Sequence, residues 1–149
     1  MKFEDNVTIN APRKKVWEFV TDANKVANCA PGVETVEIIE ENKKFKVVAS
    51  IGFGNIKVRF TTDLEFMEFE EPNFVKVKAH GTAPGNVADV IADMRLTDGE
   101  NNSTNLHWRA DINILGTIAS LANRMMGSVT KKISTQFFNS VKQKIEEQQ

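Results

Sequence analysis

The sequence predicts an α+β protein: a curved sheet of seven antiparallel strands wrapped around one long C-terminal helix, with two short helices after the first strand. Three observations carry this. Strand-like runs follow one another from about position 33 to 114, separated by "EEN", "GFGN", "EEPN", "TAPGN" and "DGENNS", the pattern of an antiparallel meander. The two most regular runs alternate apolar and polar residues, so the sheet has one wet face and one apolar face. A single later segment, from Gly116 to about Lys144, is long enough and apolar enough along one side to cover that face.

The elements follow in order. Phe3 to Asn10 alternates and predicts the first strand. In "NAPRKKVWEFV", Pro12 suits the first turn of a helix, where its missing N–H is harmless, and Val16, Phe19 and Val20 form its apolar face. Thr21 or Asp22 can cap a second short helix carrying Val26, Cys29 and Ala30, which Pro31 and Gly32 end. Strands are predicted over 33–41, 43–52, 55–70, 73–81, 86–97 and 103–114. In "KVRFTTDLEF", Val58, Phe60, Thr62, Leu64 and Phe66 share the inner face, opposite Lys57, Arg59, Thr61, Asp63 and Glu65. "NLHWRADINI" repeats this, with Leu106, Trp108, Ala110, Ile112 and Ile114 inside. On the terminal helix Ile118, Ala122, Met125, Val129 and Ile133 share a side. Continued through Phe137, Val141 and Ile145 the stripe drifts round the axis, because steps of four overrun the 3.6-residue period by about 40° each. Such a helix crosses first the sheet and then other elements. Gly127 lies off the apolar side and is expected to be a bend or a tolerated defect.

Composition narrows the function. The 149 residues suit one domain, 1–149, with 19 basic and 20 acidic side chains. Nucleic acid is not expected as a partner, since phosphate binding wants a basic excess. There is no run of apolar residues long enough for a transmembrane helix, and "MKFEDNVTIN" has no apolar signal core. One cysteine, Cys29, forms no internal disulfide, so a reducing, cytoplasmic setting is expected.

The inner faces carry no paired carboxylates and no histidine. His80 and His107 share outward parity with Lys78 and Arg109, so no general acid or base points into the cleft. Cys29, His80 and His107 lack metal-ligand spacing, and neither metal nor cofactor is expected. Cys29 is expected to be a packed thiol, and the positive charge of "RMMGSVTKK", Lys142 and Lys144 an ordinary solvated face. The stretch "IGFGN" poses a question, because it places the ring of Phe53 at an expected turn tip.

The order of elements resembles the helix-grip fold of the START/Bet v 1-like superfamily. Within it, "INAPRKKVWEFVTD", "VANCAPGVE", "IGFGNIKVRF" and "NILGTIASLANRMM" leading into "FF" are similar to the G-subunit family of carbon monoxide dehydrogenase, the Cys-x-Pro-Gly stretch Cys29–Gly32 most specifically. The chain departs from the family pattern at Thr62 and Ala122, where relatives tend to glycine. Some relatives continue into a membrane-anchoring segment, whereas this sequence ends at Gln149. The resemblance implies a non-enzymatic accessory of a molybdenum-containing carbon monoxide dehydrogenase or related hydroxylase, connecting it with the membrane and its quinone pool.

The residues themselves leave open a filled core, as in a protein-interaction or recruitment module, and the superfamily also includes cyclases and hydrolases of hydrophobic substrates. The resemblance implies a hollow between sheet and helix that holds a quinone or other lipid. The inner faces then predict a lining of Phe60, Thr62, Leu64, Trp108, Met125, Val129 and Phe137. The loops at 52–55 and 82–86 would border its mouth. Phe53 would be either a lid ring on that mouth or a ring folded back onto its own strands. Peripheral, transient contact with the inner face of the membrane is the corresponding expectation for location.

Overall fold

The computed structural model describes residues 1–148. Strand β1 (Lys2–Ile9) is followed by helices α1 (Arg13–Val20) and α2 (Ala23–Val26). A 3-10 turn at Ala27–Cys29 leads into strands β2 (Val33–Glu40), β3 (Lys44–Phe53), β4 (Ile56–Glu70), β5 (Phe74–Ala83), β6 (Asn86–Asp98) and β7 (Thr104–Gly116). Helix α3 (Ala119–Glu146) completes the described chain. The strands form one antiparallel sheet in the order β1-β7-β6-β5-β4-β3-β2. This is the predicted α+β arrangement.

Local chemistry explains the short helices. Pro12 is extended and sits one residue before α1, and its carbonyl accepts from Lys15 N and Val16 N. Of the two predicted caps, Asp22 is the one used: Oδ1 accepts from Asn24 N at 3.0 Å and Lys25 N at 3.3 Å. Thr21 instead donates its hydroxyl to Trp17 O at 2.7 Å. Cys29 is buried among apolar residues, with its thiol 3.7 Å from Lys25 O.

The turn positions differ from the sequence reading in a way that matters. Phe53 pairs with Ile56, so the β3–β4 turn is only Gly54 and Asn55, with Gly54 at φ +66°. Likewise Ala83 pairs with Asn86, leaving Pro84 and Gly85 as the β5–β6 turn. The predicted loops at 52–55 and 82–86 therefore shrink into the sheet, and Gly52 and Phe53 are strand residues.

Two apolar clusters fill the two ends of the sheet. At one end, α1, α2 and the second half of α3 pack together, with Val16, Phe19, Phe138, Val141 and Ile145 buried against Phe45, Leu96 and Leu106. At the other, the first half of α3 supplies Ile118, Ala122, Met126 and Val129 against Phe53, Val58, Phe60 and Ile114. The drift of the apolar stripe along α3 thus does what its period predicts, presenting one side to the sheet and then another to the short helices. Gly127 is exposed within a continuous helix, with nothing near the place of a Cβ. It is a tolerated defect and not a helix break.

Candidate functional site

Between the two clusters the sheet and α3 do not meet, and a cavity of about 460 Å³ remains. Its origin lies in side-chain size. The middle of the inner sheet carries Ala49, Ala79, Gly81, Ala88, Ala92 and Ala110, while the large rings lie towards the ends. Close packing otherwise leaves few voids larger than a water molecule. Small residues across neighbouring strands therefore make a hollow that α3 roofs without filling.

The walls are almost wholly apolar. Of the expected residues, Phe53, Phe60, Thr62, Leu64, Trp108 and Phe137 border the cavity. Met125 and Val129 do not. Val129 is buried in the end cluster, and the thioether of Met125 lies over the β3–β4 turn, about 3.4 Å from a Cβ built on Gly54. Ile133 and Phe137 of the predicted stripe do face the hollow, whereas Met125 and Val129 lie one residue, or 100° of helix, away from the side that faces it. Met126 and Thr130 stand there in place of Met125 and Val129, with Ser134 and Phe138 beside Ile133 and Phe137. Trp108 stacks on Phe138 at 6.0 Å between centroids, and Phe138 meets Phe137 edge-on at 4.9 Å, fixing one wall.

Phe53 is a strand residue and not a turn tip, and its ring is folded inward. It is 1 % exposed and is one of the most thoroughly buried large side chains. It plugs one end of the hollow. A signal for this is present in the sequence, since Phe45, Val47, Ala49, Ile51 and Phe53 alternate without interruption through β3. The two glycines mask it as a loop.

That end is also tied shut on its other side. Asn86 Oδ1 accepts from Ile118 N at 2.8 Å and from the Thr117 hydroxyl at 3.3 Å, and Thr117 N donates to Gly85 O at 3.1 Å. Gly116, at φ +115°, lets β7 turn into α3, where a Cβ would lie 2.0 Å from Gly85 O. The end expected to be a swinging mouth is thus a packed corner in this structure.

Charge stays on the outer face. Asp93 and Arg109 reach the cavity border, but they bond each other through Nε at 3.2 Å and Nη2 at 2.9 Å. The Asp93 carboxylate beside it holds the Arg109 guanidinium above its ordinary pKa. His80 pairs with Asp89, and His107 lies 3.3 Å from Glu4, both on the outward side of their strands. Among the described residues, no group of three or more His, Cys, Asp or Glu could hold a metal ion.

A seven-stranded sheet gripping one long helix around an apolar hollow defines the START/Bet v 1-like class. Solved structures agree at the level of fold. A conserved protein from Geobacillus kaustophilus is 21% identical, with a TM-score of 0.90 over 99% of this chain and 96% of that one. A Streptomyces aromatase/cyclase is 21% identical, with a TM-score of 0.76 over 98% and 93%. Truncated norcoclaurine synthase from Thalictrum flavum is 10% identical, with a TM-score of 0.68 over 97% and 92%. No curated protein matches the chain by sequence. The match to a family is more specific. Residues 6–146 match CoxG, the G-subunit family of carbon monoxide dehydrogenase, and the chain belongs to that family.

Proposed function

We propose that this protein is a non-enzymatic carrier that encloses a hydrophobic small molecule, a quinone or another lipid, in the hollow between sheet and α3. It would serve as an accessory to a molybdenum-containing oxidoreductase of the carbon monoxide dehydrogenase type, on the cytoplasmic side and in passing contact with the membrane. The observation that carries the reading is the cavity itself, about 460 Å³ with walls of aliphatic and aromatic side chains. That volume lies within the range of small-molecule sites. Covering roughly 400 Å² of an apolar tail there contributes about 10 kcal/mol gross at ~25 cal/mol/Å². Association and ordering costs offset much of this, leaving room for micromolar affinity.

Two structural neighbours carry the names of enzymes, a cyclase and a synthase. Catalysis of that kind calls for a positioned acid or base in the cleft. Among the described residues the cavity border offers only Asp93 and Arg109 as titratable groups, each engaged with the other. This supports the carrier over the enzyme. Membrane contact would be peripheral, since no helix among the described residues is long and apolar enough to cross a bilayer.

The test uses Trp108, which lies on the cavity wall, whereas Trp17 is buried among the short helices. Titration with decylubiquinone should quench tryptophan emission saturably, and Trp108→Phe should remove most of the effect. Quenching that is non-saturable, or indifferent to that substitution, would remove the cavity from the account.

A further inference from the structure

Thr130 is the one buried side chain among the described residues whose polar atom has no hydrogen-bond partner. It is 9% exposed, lies in the middle of α3 and borders the cavity. A threonine inside a helix ordinarily points to solvent or donates to the carbonyl four residues back. Thr130 does neither. Other hydroxyls behave differently: on the same helix the Ser134 hydroxyl donates to Lys131 O at 3.2 Å, and elsewhere the buried Thr104 hydroxyl donates to Ala11 O at 2.7 Å. An unpaired buried hydroxyl carries its full desolvation cost, so its persistence calls for a reason.

The position also restricts what could satisfy it. The hydroxyl oxygen is sealed from solvent, while the residue itself borders the hollow. Threonine in a helix divides between two χ1 rotamers, and one rotation exchanges its methyl group for its hydroxyl. Across the cavity, Thr62 is a second wall hydroxyl, with Gly81 opposite leaving it space: a Cβ there would stand 2.9 Å from Thr62 Oγ1. Among the described residues, no cation on the wall is free to meet a carboxylate, because Arg109 is occupied by Asp93. A desolvated carboxylate without a partner is far costlier than a desolvated carbonyl or alcohol.

We propose that Thr130 is the polar anchor of the cavity, its hydroxyl turning inward to pair with a neutral oxygen, a carbonyl or hydroxyl, on an otherwise apolar ligand. This rests on the carrier reading and narrows it. The cavity would select uncharged molecules bearing a carbonyl or hydroxyl over both fatty acids and plain hydrocarbons.

Three probes of one chain length separate these cases: dodecan-2-one, dodecanoate at pH 8 and dodecane, each followed by tryptophan fluorescence. Wild type should bind the ketone most tightly. Thr130→Val keeps the shape and removes the hydroxyl. It should weaken the ketone about three- to tenfold, the worth of one hydrogen bond. Dodecane binding should stay unchanged, and Thr130→Ser should restore the ketone. The melting temperature of unliganded Thr130→Val should be equal to or above that of wild type, since no native bond is lost. A ketone-to-dodecane ratio unaffected by Thr130→Val, dodecanoate binding as tightly as the ketone, or a lowered melting temperature would each overturn the anchor while leaving the carrier standing. Failure of wild type to bind any of the three would overturn the anchor, and failure with decylubiquinone as well would overturn the carrier too.

Discussion

At the scale of single residues, Phe53 and Glu34 make opposite kinds of contribution. The Phe53 ring is buried with Ile118, Ala122 and Met126 under the start of α3. Phe53→Ala should therefore destabilise the protein by about 3–5 kcal/mol, the range for removing a core ring. Chemical denaturation measures this. A lid ring lying on an open mouth would give a loss of well under ~1 kcal/mol. Glu34 is a surface case. Arg59 Nε donates to its two oxygens at 3.2 and 3.0 Å, and the Ser50 hydroxyl donates at 3.0 Å. The Arg59 bond, followed by Ser50, holds the Glu34 carboxyl below the usual carboxylate range. A depressed folded pKa means a stabilisation that is full above the ordinary glutamate pKa. It fades as the pH falls through the lower folded value. Glu34→Gln should therefore lose stability relative to wild type at neutral pH, with the gap closing in acid. Melting curves over that pH range would show it, and a gap that widened in acid would contradict the assignment.

At the scale of elements, α3 is the piece whose details decide the site. Its exposed Gly127 leaves open space where a Cβ would stand. Gly127→Ala should raise stability by about 0.5–1 kcal/mol, since alanine loses less backbone freedom in a helix. A melting temperature that fell would mean the position is not an ordinary helical site. The existence of α3, the drift of its stripe and the inner faces of β4 and β7 are all legible in the sequence, because periods of 3.6 and 2 are local signals. Phe137 borders the hollow as expected, but which residues in the first half of α3 face it is not legible. That depends on the rotation of the helix about its axis, fixed by Ile118 and Ala122 at one end and Val141 and Ile145 at the other. A turn of 100° exchanges Met125 for Met126. The β3–β4 corner misleads for a different reason. Gly52 and Gly54 suggest a loop, but only Gly54 has the positive φ of a turn, and strand pairing extends to Phe53.

At the scale of the whole molecule, the arrangement is two packed ends and an unpacked middle. The ends hold α3 against the sheet, and the small residues between them leave the space. Sequence alone does not decide between hollow and filled, because the same large rings could meet in the middle. The structure places them at the ends. This makes a filling substitution informative. Ala92→Leu adds apolar volume on the cavity wall without crowding a packed core, so stability should hold or rise while ligand binding is lost. A core already filled would instead respond with about 1–3 kcal/mol of overpacking cost. A bound ligand should also stabilise the fold, by about 2.7 kcal/mol at roughly a hundred times its dissociation constant. The most direct test of the carrier is native mass spectrometry of the gently purified protein, followed by solvent extraction of whatever it releases. The account predicts a stoichiometric adduct that proves to be a quinone or another lipid, lost in Ala92→Leu. A clean unliganded mass that persists after exposure to quinones and lipids would contradict it.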